Sequence, residues 1–401
     1  MTLVDSATAQ HSTAQHSNNH CLNFSENKIL LVSLYGNNYG NILQRYSLAR
    51  TIESLGFEVD NLCPYESRPP RNYLLEAATS FKKSVKTLIK RMLALAGIRK
   101  YLDKQLTRES KSSAFTKKLN AFCDKYIKRK IFVSYDEMQN INKSQWDKYK
   151  FAVTGSDQVW RIWLHTIEQA ECYYLEFMSR EKRVCYAPSF GFTQFYEPDI
   201  NLHKKGLEGF DKLSCREQEG VNLIKQLINK DAKLVLDPTL LLNASQWREI
   251  ECKPDINLPD RYVLTYFLGR RTQEYERAIK QAAGDLPVID IYNEAEAFLQ
   301  NYVAGIEEFL YLFDHADFVL TNSFHGTVFA INFGKKFYSF TREYESFSRI
   351  QSILDSLNLA NHAYKSESNS RPDEINYHEV NEKLNILRES SIKYLRDCLN
   401  V

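Results

Sequence analysis

The chain has 401 residues, room for two domains of ordinary size, and its 43% hydrophobic and 25% charged content is the balance of a globular fold. A formal net charge of +2 excludes functions that rely on global attraction to a polyanion, so nucleic acid is not an expected partner. Its 8 cysteines lie far apart with no C-x-x-C pair, and no H-E-x-x-H, P-loop or G-x-G-x-x-G pattern occurs, which sets aside a disulfide frame, a zinc site and the common nucleotide loops.

Residues 1–27 carry TAQHS twice in succession and then Asn18, Asn19 and His20, a polar composition expected to form a disordered tail. No apolar run approaches the roughly 18 residues needed to cross a bilayer and no secretory pattern opens the chain, so the expected location is cytoplasmic. Lys28 to Leu34 reads as a buried strand, followed by Gly36, Asn37, Asn38, Gly40 and Asn41. A helix then carries Leu43, Tyr46, Leu48, Ile52 and Leu55 on one face and stops at Gly56, and Phe57 to Leu62 is a second strand. In such a βαβ unit ligands bind beyond the strand ends, which makes Asn38, Asn41, Gln44 and Arg45 candidate contacts. Asparagines that only cap the helix are the competing reading.

Residues 74–130 are expected to be largely helical and basic, with 16 Lys/Arg from Lys82 to Lys130 against Asp103, Glu109 and Asp124. A basic amphipathic helix over 74–96 suits an anionic lipid surface, and suits equally a helix packed on its own domain with solvated lysines. Lys150 to Thr154 is a further strand, and it ends in Gly155, Ser156 and Asp157, again where ligand contacts are placed. Arg183 to Ala187 and Lys233 to Leu236 read as strands, with a helix from Glu217 between them. Arg216 opens that helix, where the dipole disfavours a cation, so it faces either an anionic ligand or a neighbouring carboxylate such as Glu217 or Glu219.

Pro238, Pro254 and Pro259 place a linker at 238–260, separating an N-terminal domain (28–237) from a C-terminal one (261–401). The second half alternates again: strands over 261–268, 286–292, 318–320 and 336–340, helices over 272–283, 306–315 and 347–357, and a C-terminal helix over 376–398. The fold class expected is α/β, two Rossmann-like doubly wound domains facing across a cleft. After the strand at Phe318 to Leu320, Thr321, Asn322 and Ser323 cap a helix whose amino end suits an anion, with His325 as a titratable side chain there. A buried histidine satisfied by a backbone carbonyl is the alternative.

Four segments, N-Y-G-N-I-L-Q at 38–44, G-S-D-Q-V-W at 155–160, S-C-R-E at 214–217 and N-S-F-H-G-T at 322–327, together resemble the polysaccharide pyruvyl transferase family. V-L-D-P-T at 235–239 and S-R-I-Q-S-I-L at 348–354 add to the resemblance, which runs from about residue 28 to about residue 360. The resemblance implies a glycosyltransferase-B-like fold and transfer of the enolpyruvyl unit of phosphoenolpyruvate to two hydroxyls of a sugar, giving a pyruvate ketal and phosphate, with no metal or organic cofactor. It implies donor binding by Arg216 and a catalytic His325, which we assign as the general acid that protonates C3. Some members carry an arginine two residues before the histidine; here Ser323 stands there, and Arg349 is the expected replacement, ahead of Lys335 and Lys336. Asn38, Asn41, Gln44, Ser156, Asp157 and Ser323 complete the expected substrate contacts. The expected partner besides the donor is a capsule or exopolysaccharide sugar, in one form a lipid-linked oligosaccharide, which would give the basic helix a peripheral membrane role at the inner face. Two other functions fit the same chain: a nucleotide-sugar glycosyltransferase recruiting Glu343 or Glu345, and a binding protein that retains the fold without catalysis.

Overall fold

A computed structural model describes residues 27–35, 38–65, 99–161, 167–269, 271–291, 303–341, 347–365 and 374–401. The tail at 1–26, Gly36, Asn37, the whole of the basic stretch at 74–96, and Glu343 and Glu345 therefore lie outside the described residues. Among the described residues no helix is long and apolar enough to cross a membrane.

The first unit contains β1 (Lys28–Val32), α1 (Tyr39–Ser54), β2 (Glu58–Tyr65), α2 (Arg99–Tyr126), β3 (Lys130–Ser134), α3 (Tyr135–Asn140), β4 (Phe151–Thr154), α4 (Ile167–Tyr173) and β5 (Arg183–Cys185). Its strands form a parallel sheet in the order β3-β2-β1-β4-β5. Ile29, Leu30, Leu31 and Val32 of β1 are wholly buried, as a strand covered on both faces must be, and each contributes about 1.5–3 kcal/mol by burial. α5 (Ile200–Glu208), β6 (Leu213–Cys215), α6 (Gln218–Ile228) and β7 (Ala232–Leu234) follow. β6 pairs with β7 in a small parallel sheet and joins β5 through the Ser214 hydroxyl, which donates to Cys185 O and accepts from Ala187 N.

The second unit holds α7 (Ala244–Arg248), β8 (Val263–Tyr266), α8 (Gln273–Ala283), β9 (Val288–Asp290), α9 (Ile306–His315), β10 (Phe318–Thr321), α10 (Phe324–Asn332), β11 (Lys336–Ser339), α11 (Ser348–Ser356) and α12 (Tyr377–Leu399). Its strands are parallel in the order β11-β10-β8-β9. The strand order reverses between β1 and β4 in the first sheet and between β8 and β10 in the second, and a doubly wound sheet offers its ligand crevice at such a point. The fold is thus α/β with two Rossmann-like units, as expected.

Three elements depart from the sequence reading. β6 lies where only a helix approach was anticipated, because three residues are too few for a periodic signal. The 238–260 segment is partly ordered as a 3-10 turn (Pro238–Leu240) and α7, pinned by Trp247, whose ring is buried and donates to Thr239 O. α12, assigned to the second unit, spans both. Tyr377 at its start donates to Lys335 O, while further along Ser391 accepts from Leu236 N and Tyr394 donates to Cys185 O.

Between the units, the Tyr39 ring stacks on Phe309 at 4.4 Å and its hydroxyl donates to Ala304 O at 2.7 Å. The described side chains of α2 also bridge the units: Lys118 pairs with Glu308 at 2.7 Å and Lys125 with Glu307 at 3.3 Å. Tyr39→Phe removes the donor to a buried carbonyl and is expected to cost about 1–3 kcal/mol, measured by urea unfolding; an unchanged midpoint would show that water replaces the bond.

Candidate active site

The ends of β1, β4, β8 and β10 meet around a cavity of about 460 Å³ lined by both units, among them Asn38, Gly40 and Asn41 from the first and Asn322, Ser323 and His325 from the second. That volume lies in the ordinary range for small-molecule sites. Local chemistry explains why these loops end there. Asn38 caps α1, its side chain accepting from Asn41 N at 2.8 Å. Ser323 caps α10, accepting from Gly326 N at 3.3 Å. Asn322 is spent on the neighbouring loop, accepting from Leu268 N at 2.6 Å and donating to Leu268 O at 3.0 Å. Gly326 lies against the Thr321 hydroxyl, where a Cβ would overlap it, so glycine is required for α10 to approach β10.

Behind this wall lies a buried charge cluster. Arg216, with no exposed side-chain surface, donates to Asp237 Oδ2 and to Asp157 Oδ1, each at 2.7 Å, and its Nε lies 3.6 Å from Glu217 Oε2. Its guanidinium also covers the Phe324 ring at 4.6 Å. Asp237 is held further by Ser156 Oγ at 3.1 Å and, on Oδ1, by Thr239 N at 3.0 Å and Thr239 Oγ1 at 2.7 Å. Ser156 N in turn donates to Gln44 Oε1 at 3.0 Å. Burial works against ionisation of both aspartates, yet Arg216 and His325 bring Asp157 and Asp237 below the usual carboxylate value. At Glu217 burial prevails over Arg216 and the carboxyl is pushed up.

His325 sits between cluster and cavity. Its Nε2 is buried, has no hydrogen-bond partner, and lies 3.9 Å from Asp237 Oδ2. Its opposite edge faces Gly40, where a Cβ would overlap Nδ1, so α1 can close on the ring only because residue 40 has no side chain. Burial pushes the imidazole below its ordinary value, with Asp237 and Asp157 opposing and Arg216 and Arg349 adding to the fall. The histidine is therefore neutral at neutral pH in the empty site, which corrects the simple expectation of an imidazole titrating there unaided. It is not a histidine satisfied by a backbone carbonyl.

The structure brings Asn38, Asn41, Asp157, Ser323, His325 and Arg349 to the cavity wall. It does not bring Arg216, Gln44 or Ser156 there; each is buried behind it and bonded to protein. Arg45 is likewise structural, donating to Leu62 O and Ser33 O. Lys335 and Lys336 are absent from the wall, so Arg349 is the arginine or lysine lining the cavity among the described residues. Sequence reasoning missed Asp237 and Gly40. The Asp-Pro-Thr after a strand was a visible turn signal for the first, whereas the ring that Gly40 admits is 285 residues away in sequence (325 − 40).

The family model for polysaccharide pyruvyl transferase matches residues 38–344, most of the chain. No curated protein matches in sequence. Among solved structures, the Staphylococcus aureus MnaA–UDP co-structure is 11% identical with a TM-score of 0.49, covering 93% of this chain and 97% of that one. The UDP-GlcNAc 2-epimerase from Methanocaldococcus jannaschii is 11% identical with a TM-score of 0.47, covering 92% and 98%. Anabaena Alr3699/HepE in complex with UDP and glucose is 10% identical with a TM-score of 0.46, covering 92% and 99%. Similarity at that level transfers no ligand to this chain.

Removing the cation at the centre of the cluster leaves buried carboxylates uncompensated. Arg216→Ala is expected to lose about 3–5 kcal/mol of stability, read by thermal or urea unfolding. A variant with native stability and only weakened anion binding would instead return Arg216 to direct donor contact.

Proposed function

The chain belongs to the polysaccharide pyruvyl transferase family, and from that premise we propose that it takes phosphoenolpyruvate as donor and builds a pyruvate ketal on a sugar of a surface polysaccharide or its lipid-linked precursor. The observation that supports this reading best is the meeting of a buried imidazole, Arg349 and the amino end of α10 around one cavity. A multiply charged carboxylate and phosphate donor needs cationic and N–H partners, and an arginine with a helix amino end supplies both. Arg349 takes one anionic group, and the Phe324 and His325 amides at the start of α10, ahead of the Gly326 amide that Ser323 caps, take the other. Asn38 and Asn41, on the opposite wall, offer amides to the sugar hydroxyls.

His325 gives a proton to C3, and C2 becomes oxocarbenium-like. The first sugar hydroxyl adds at C2 and its proton returns to His325. The C2–O bond to phosphate then breaks, and the second hydroxyl closes the ketal while its proton leaves with the phosphate. The net change is two sugar O–H bonds, the C2–C3 π bond and the C2–O bond to phosphate lost, and one C–H bond, two C–O bonds and one phosphate O–H bond formed; no step calls for a metal or organic cofactor. Negative charge brought by the donor raises the proton affinity of the imidazole, so the acid is charged when the donor is present and neutral when it is not. A lipid-linked acceptor would put the protein at a membrane surface. Among the described residues, three lysines of the basic stretch pair with the protein's own carboxylates, Lys118 with Glu308, Lys125 with Glu307 and Lys130 with Asp124, so that part of the proposal rests chiefly on residues 74–98.

The test is phosphate release from phosphoenolpyruvate across a panel of saccharide acceptors, beside the same panel with UDP-sugars. Phosphate is expected only when phosphoenolpyruvate and an acceptor are both present, and His325→Ala is expected to slow turnover about 10²–10⁴-fold. Turnover with a UDP-sugar alone would replace this reading with glycosyl transfer. Binding of phosphoenolpyruvate without turnover on any acceptor would favour a protein that only binds.

A further inference from the structure

The His325 imidazole is fixed on one edge by Gly40, and on the other its buried Nε2 has nothing to bond to in the empty site. A buried ring nitrogen without a partner is costly unless the group changes state during function. Facing it at 3.9 Å is a carboxylate oxygen that cannot swing away. Asp237 is held by Arg216 and Ser156 on Oδ2 and twice by Thr239 on Oδ1. The turn that carries it is anchored in its own right: Thr239 O accepts from Trp247 Nε1 at 3.0 Å and from Asn332 Nδ2 at 3.2 Å. Asn332 is the last residue of α10, the helix whose first turn carries His325, so acid and carboxylate are referenced to the same helix.

We infer that Asp237 is the positioning residue for His325, its fixed Oδ2 facing Nε2 across 3.9 Å and stabilising the charge there when the imidazole is protonated, while Nδ1 lies on the edge that meets Gly40 at the cavity wall. The inference deepens the proposed function, because it rests on His325 being the acid of that reaction. The charged groups facing the ring are Asp237 and Asp157 on the favourable side and Arg216 and Arg349 on the unfavourable side. Asp237 differs from Asp157 in having an oxygen within 4 Å of a ring nitrogen. Arg216 has a double role: it keeps Asp237 ionised, and by sharing Oδ2 it limits how strongly that oxygen attracts the histidine proton. The dyad is thereby balanced, so that an arriving anion decides its protonation.

The test is an NMR titration of the full chain labelled at histidine, with the His325 signal identified by its loss in His325→Asn, alone and with saturating phosphoenolpyruvate. Asp237→Asn is expected to lower the His325 midpoint by about 1–3 pH units in both conditions. Ser156→Ala, which removes one donor to Oδ2 and keeps the charge, is expected to raise it. Equal midpoints in wild type and Asp237→Asn would overturn the assignment, and if that variant fails to fold, an unmoved midpoint in Ser156→Ala overturns it. If phosphoenolpyruvate moves no histidine signal in the wild type, the donor reading falls, while the unliganded midpoints still decide the Asp237–His325 pair.

Discussion

Arg216, buried among three carboxylates, is the interaction on which the site depends. It ties the loop after β4, through Asp157, to the turn after β7, through Asp237, and its guanidinium lies over Phe324 at the start of α10. A buried ion cluster of this kind adds little net stability compared with apolar packing, but breaking it is costly. Its value here is geometric. Loops from the first unit and a helix from the second are set against each other with hydrogen-bond accuracy, and the cavity is the gap that remains.

The cluster also sets the electrical character of that cavity. Asp157 and Asp237 are held below the usual carboxylate value by Arg216 while burial pushes the Glu217 carboxyl up, so one guanidinium faces at least two ionised carboxylates. The resulting negative excess beside His325 is opposed by desolvation of the ring, and in the empty site desolvation prevails. An anionic donor held by Arg349 on the far side of the ring would change that balance without moving a backbone atom. The same residues that look merely structural therefore decide when the acid is available.

Much of this was legible in the sequence for a simple reason. Strand ends at Val32, Thr154 and Thr321 are marked by the change from buried apolar runs to Asn, Ser, Asp and Gly, and switch points follow from strand order. The direction in which a polar side chain bonds is not marked. Arg216 at a helix start correctly signalled an anion nearby, and the neighbouring carboxylate of Glu217 is one of its partners, but its hydrogen-bonded anions proved to be Asp157 and Asp237, 59 and 21 residues away, and not a ligand on the wall. Gln44 and Ser156 were misplaced for the same reason: amide and hydroxyl groups near a strand end serve backbone and ligand equally well. α12 was given to one unit because nothing in its periodicity reveals which surfaces it crosses.

The central claim is that donor binding charges His325. Calorimetric titration of phosphoenolpyruvate into the protein near neutral pH, in two buffers of different ionisation enthalpy, measures the protons taken up with the ligand. The account predicts uptake of about one proton per donor in the wild type beyond that in His325→Asn, since the histidine moves from neutral to charged on binding. Equal proton uptake in the two proteins would contradict it.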